Sequence, residues 1–120
     1  MKCLVVDDSS TMRRIVVNTL KSMGITEVIE AGNGAEGLAK LDGSVDLIIT
    51  DSSTRLGGLD LVRSLRGNSA TTNTPVLMVS TRNVEEVVKR AIDAGVSGYL
   101  LKPFTPTALK QKVRQLMALA

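Results

Sequence analysis

The chain has 120 residues, 43% hydrophobic and 22% charged, with a net charge of +3 and no histidine. That length implies one domain with a real core, and the lack of histidine removes the commonest general base and any histidine-based metal site. No apolar run approaches the ~20 residues of a membrane helix, and one Tyr, one Phe and scattered basic residues argue against nucleic-acid binding.

The amino terminus, MKCLVVDDSS, carries acids too early for a secretory signal, so a cytoplasmic protein is expected. Lys2–Val6 reads as a first strand ending in Asp7 and Asp8, with Cys3 inside it as a buried small hydrophobe. Ser9 or Ser10 can cap the helix that follows. Its apolar residues Met12, Ile15, Val16, Leu20 and Met23 form one stripe, and Gly24 stops it. Glu27–Glu30 is a short second strand. Asn33 and Gly34 turn the chain into a short helix, Ala35–Leu41, ended by Gly43. Val45–Asp51, VDLIITD, is rich in Ile and Leu and suits a strand buried on both faces. Asp51 stands where that strand leaves the sheet.

The small, polar stretch from Ser52 to Gly58 reads as a loop, Leu59–Leu65 as a third helix and Gly67–Thr74 as a polar connection. Pro75 opens a fourth strand, Val76–Val79, which closes with Ser80 and Thr81. Asn83 can cap a fourth helix, Val84–Ala94, ended by Gly95. Val96–Leu101 is a fifth strand containing Tyr99. Lys102-Pro103-Phe104 breaks it, and a last amphipathic helix runs from Pro106 to Leu119, which leaves no room for an output domain. Strands alternating with helices at this pitch predict an α/β fold, a single-domain (βα)5 sandwich with a five-stranded parallel sheet covered on both faces.

In such a sheet every strand's carboxyl end points to one edge, where open α/β sheets keep their ligand sites. Strand one brings Asp7 and Asp8 there, strand three Asp51, strand four Ser80, and strand five runs into Lys102. Each residue alone is an ordinary helix cap or solvated polar group. Together they make three repelling carboxylates, a hydroxyl and an ammonium. Hard oxygen ligands without His or Cys suit Mg²⁺. A carboxylate beside that ion and a lysine can act as nucleophile toward a phosphoryl group. Gly32, Gly34 and Gly37 stand at G-x-G-x-x-G spacing, but after the second strand and in a chain too short for two mononucleotide-binding halves. A turn plus a helix-packing glycine is expected instead.

LVVDDSSTMRR, DLIITD, PVLMVS and GYLLKPF resemble the receiver domain of two-component response regulators, nearest to stand-alone chemotaxis regulators of the CheY type. The resemblance covers essentially the whole chain. It implies a flavodoxin-like sheet of order 2-1-3-4-5, of which the family is itself a standard example. It implies Asp51 as phosphoacceptor, and Mg²⁺ held by Asp7, Asp8, Asp51 and the backbone carbonyl of Ser53, with Asp8 the more direct of the acidic pair. Ser80 and Lys102 would contact the phosphoryl oxygens, and Ser80 and Tyr99 would form the switch. The implied partners are a sensor histidine kinase, a phosphatase, and a protein target such as the flagellar motor switch on the face of helix four, strand five and helix five.

One segment departs from the family. Receivers usually carry a Met-Pro and a later Met-Asp-Gly or Met-Asn-Gly after the phosphoacceptor. Here Ser52-Ser53-Thr54-Arg55-Leu56-Gly57-Gly58 lacks the Met-Pro and is one residue shorter if Gly58 is the family glycine. Metal affinity and the start of helix three turn on that loop. Two alternatives stay open. Asp51-Ser52-Ser53-Thr54 also resembles the D-x-D-x-[TV] loop of haloacid-dehalogenase-like phosphohydrolases, with Ser53 where their acid/base Asp would stand. The altered loop also fits a degenerate receiver acting only as a binding module.

Overall fold

The computed structural model describes residues 1–41, 43–52, 58–81 and 85–119. The five apolar runs pair as one parallel sheet of order β2-β1-β3-β4-β5, formed by β1 (Lys2–Val6), β2 (Glu27–Ala31), β3 (Leu47–Asp51), β4 (Val76–Ser80) and β5 (Gly98–Leu101). The connecting helices are α1 (Ser10–Ser22), α2 (Gly34–Lys40), α3 (Gly58–Arg66), α4 (Glu85–Ala94) and α5 (Pro106–Leu119). No helix among the described residues is long and apolar enough to cross a membrane.

Alternation along the strands sorts the core into two layers. Val5, Ile49, Val79 and Leu100 face α1 and α5, packing with Val16, Leu20, Leu109 and Val113. Leu4, Val6, Ile48 and Met78 face the other side, with Leu61, Leu65 and Ala91 of α3 and α4. β3 and β4 are buried along their whole length, as a central strand covered on both faces must be. Cys3 of β1 is buried as well, and burial, reinforced by the Asp46 charge, pushes its thiol up to about 11.

Local chemistry sets the element ends. Ser9 caps α1 by accepting the Met12 N–H, so the helix begins before the apolar stripe. Asn33 caps α2 by accepting the Glu36 N–H at 2.9 Å, while Glu36 Oε2 accepts the Gly32 N–H at 3.0 Å. This reciprocal cap explains the glycine-spaced stretch without any nucleotide. Gly37 is its helix-packing member, since a Cβ there would stand 3.0 Å from Val6.

Several expected boundaries move. β3 begins at Leu47, because Asp46 lies beside β1 with its carboxylate on the Lys2 N–H at 2.8 Å and its own N–H on the Lys2 carbonyl at 2.8 Å. α2 ends at Lys40, short of Leu41 and Gly43, with Leu41 already extended. β5 begins at Gly98, because the Val96 N–H turns back to the Ala91 carbonyl at 3.2 Å and the Ser97 hydroxyl accepts the Val76 N–H at 3.0 Å. Gly24 and Gly95 take positive φ, as the turns after α1 and α4 require. Asn83 and Val84 lie outside the described residues.

Candidate functional site

The sheet delivers the strand-end residues to one edge, and its hydrogen-bond ladder continues into them. The Asp7 N–H donates to the Ala31 carbonyl at 3.1 Å, the Ser52 N–H to Val79 at 3.0 Å, and the Lys102 N–H to Ser80 at 2.8 Å. Alternation therefore governs these side chains as it does the core. Asp7, Asp51 and Lys102 share the face of α1 and α5. Ser52 and Ser80 share the face of α3 and α4.

On the first face, Lys102 Nζ donates to Asp51 Oδ2 at 3.1 Å and to Asp7 Oδ2 at 3.4 Å. Asp51 is 6% exposed and Asp7 3%. A carboxylate oxygen of the exposed Asp8 joins theirs, all within 4.8 Å of one another. Among the described residues, one ammonium faces three carboxylates. Burial pushes the Asp7 carboxyl above the ordinary aspartate value. Asp51 adds to that, while the Ser9 N–H at 2.9 Å and Lys102 pull against it. The main chain of Asp7 is held as well, for Arg13 Nη1 donates to its carbonyl at 2.6 Å and Arg13 Nε pairs with Glu30 at 3.4 Å.

On the second face, Ser80 is fully buried and accepts a hydrogen bond from the Ser52 hydroxyl at 2.7 Å. Tyr99 is half-buried in β5, opposite Met78, and packs against the core layer of α3 and α4. Asp7, Asp8, Asp51 and Lys102 thus come together as the spacing predicts. Ser80 reaches the same edge from the other face. Ser53 lies outside the described residues.

Sequence reasoning did not find Ser52 or Arg13 as site residues. The motif for Arg13 was visible only as an arginine one turn into α1. Ser52 gave no signal at all, since its partner is 28 positions away.

The donor set fits a hard divalent cation, with carboxylate oxygens close enough to share one ion and no soft ligand among them. Known proteins point the same way. The family described as response regulator receiver domain matches residues 3–114. The chemotaxis protein CheY1 of Helicobacter pylori is 47% identical over 116 residues, covering 94% of each chain. CheY of Pseudomonas aeruginosa is 41% identical over 118 residues, covering 97% of this chain and 95% of its own. The solved structure of CheY4 of Vibrio cholerae superposes with a TM-score of 0.90 at 35% identity, covering 96% of this chain and 97% of that one. Receiver domains of this type are signalling proteins rather than classical enzymes, and they bind Mg²⁺ at an acidic pocket. The chain belongs to the response regulator receiver domain family and is homologous to the CheY chemotaxis regulators.

Proposed function

We propose that Asp51 accepts a phosphoryl group from a sensor histidine kinase, with Mg²⁺ held by Asp7, Asp8, Asp51 and the backbone carbonyl of Ser53. The observation that carries this reading is Lys102 Nζ bonded to both Asp7 and Asp51, with Asp8 beside them. Bound there, the ion would supply charge neutralisation and alignment for the phosphoryl oxygens. An Asp51 carboxylate oxygen attacks phosphorus, the phosphorus–nitrogen bond to the donor imidazole breaks, and that nitrogen takes a proton as it leaves. Lys102 then turns from Asp7 and Asp51 toward a phosphoryl oxygen, and the Ser80 hydroxyl toward another. Water attacking the same phosphorus breaks its bond to the Asp51 oxygen, releasing inorganic phosphate and restoring the carboxylate. The chain's catalysis is thus limited to its own phosphorylation and dephosphorylation, and a phosphatase would hasten the second.

Output is by protein contact, from the cytoplasm, with a target such as the flagellar motor switch. The face of α4, β5 and α5 supports that reading, since it carries Tyr99 together with the exposed Ile92 and Leu101. Membership of the receiver family sets the phosphohydrolase reading aside.

Intact mass after incubation with acetyl phosphate and Mg²⁺ tests the proposal. The wild-type chain should gain one phosphoryl group, and Asp51→Asn should gain none while keeping its fold. Labelling of Asp51→Asn at the wild-type rate moves the acceptor elsewhere. No gain by the wild-type chain leaves only a binding module.

A further inference from the structure

We propose that the Ser52 hydroxyl is a latch on Ser80, holding the Ser80 hydroxyl on the face of α3 and α4 so that it must be released before it can turn to Asp51. The inference rests on the reading of Asp51 as phosphoacceptor and adds a positioning residue to it. Three observations carry it. The Ser52 hydroxyl donates to the Ser80 hydroxyl at 2.7 Å, a short bond at a fully buried group. The backbone of both residues is pinned, the Ser52 N–H on the Val79 carbonyl at 3.0 Å and the Ser80 carbonyl under the Lys102 N–H at 2.8 Å. Finally, the ladder places Asp51 opposite Val79, so that Asp51 and Ser80 leave the sheet toward opposite faces.

With the main chain held, Ser80 can change allegiance by rotation about its Cα–Cβ bond between staggered wells. Such a rotation exchanges a neutral hydroxyl pair for a bond to an anionic oxygen. Charge-assisted hydrogen bonds are roughly twice as strong as neutral ones, so the phosphoryl group wins the exchange, but against a resisting bond. Ser52 therefore sets how much occupancy of Asp51 is needed to move Ser80. A residue without a hydroxyl at this position would remove this one bond from Ser80.

The test uses the full chain and titrates beryllofluoride with Mg²⁺, read by the fluorescence of Tyr99, the only tyrosine in a chain without Trp. Ser52→Ala should lower the beryllofluoride midpoint by roughly twofold to tenfold, the factor that one net hydrogen bond represents. Ser52→Thr, which keeps the hydroxyl, should restore the wild-type midpoint. In a Ser80→Ala background, Ser52→Ala should change nothing. The two single substitutions should also be non-additive in the melting temperature of the protein without beryllofluoride. An unchanged midpoint in Ser52→Ala overturns the latch, and leaves the acceptor reading standing where Asp51→Asn abolishes the response. A shift that persists without the Ser80 hydroxyl overturns it too, because Ser52 would then act by another route. If wild-type protein binds no beryllofluoride, the acceptor reading fails and the latch with it.

Discussion

Two cations hold opposite ends of this sheet, and they are used differently. Arg66, the last residue of α3, lies at the amino-terminal edge of β4 and β5. It donates to the carbonyls of Gly95 at 2.9 Å, Thr72 at 3.0 Å and Thr74 at 2.7 Å, with longer bonds to the Thr71 carbonyl and the Ser97 hydroxyl. Every one of those partners is neutral. Lys102, at the carboxyl-terminal edge, spends its charge on two buried carboxylates. A guanidinium's rigid fork of donors suits several carbonyls at once and ties loops in place. An ammonium is a compact charge on a flexible stem, able to give up one anion for another. Burial lowers the pKa of Arg66, yet an arginine stays charged at any ordinary pH, so its grip is permanent. The difference separates an end of the molecule tied through neutral carbonyls from an end where charge is set against charge.

Removing Arg66 should produce the largest effect. Arg66→Ala should destabilise the fold by about 3 kcal/mol, since several carbonyls lose one charged partner together. The urea midpoint measures this, and phosphoryl gain from acetyl phosphate should survive under conditions where the variant remains folded. Loss of that gain in the folded variant would erase the distinction between the two ends.

A smaller effect sharpens the other end. Asp8→Asn should raise the melting temperature in the absence of Mg²⁺ by a few degrees, because one of three mutually repelling carboxylates is gone. The same variant should bind Mg²⁺ more weakly. Unchanged values of both would mean that the acids do not act on one another.

The smallest effect concerns proton linkage at Asp7. Its folded pKa is raised, so the folded chain holds that proton more tightly than the unfolded chain does. The stability this contributes is fully present below the unfolded value of about 3.9 and is lost as pH rises through the raised folded value. Urea midpoints in the presence of a chelator should show this fall, and Asp7→Asn should flatten it. Added Mg²⁺ should oppose it, since the ion favours the ionised carboxylate.

The cluster around Lys102 was legible in the sequence, and the ties around Arg66 were not. Asp7, Asp51, Ser80 and Lys102 close apolar runs whose strand character is written in Ile, Val and Leu, and parallel topology then carries strand ends to one edge. The helices and strands of the described residues were legible for the same reason. In sequence the cap of α1 narrows only to Ser9 or Ser10, and Asn33 reads as a turn rather than as the cap it is. Arg66 reads in sequence as the polar end of a helix, because its partners are backbone carbonyls, which carry no residue signature. The Ser52–Ser80 bond was equally invisible, since it depends on the register of β3 against β4 and on which face each residue takes. The displaced start of β3 has a similar origin. Asp46 reads as strand in the sequence, but its carboxylate accepts the Lys2 N–H across the chain.

The burial of Cys3 has a practical consequence for probing the molecule. Its thiol stays protonated at neutral pH and lies out of reach within the sheet, so maleimides and other alkylating reagents should pass it by. The wild-type sequence can serve directly as the background for site-directed labelling. A single substitution such as Ile92→Cys would put one reactive thiol on the outer side of α4, where an attached spin label or dye would report that helix alone.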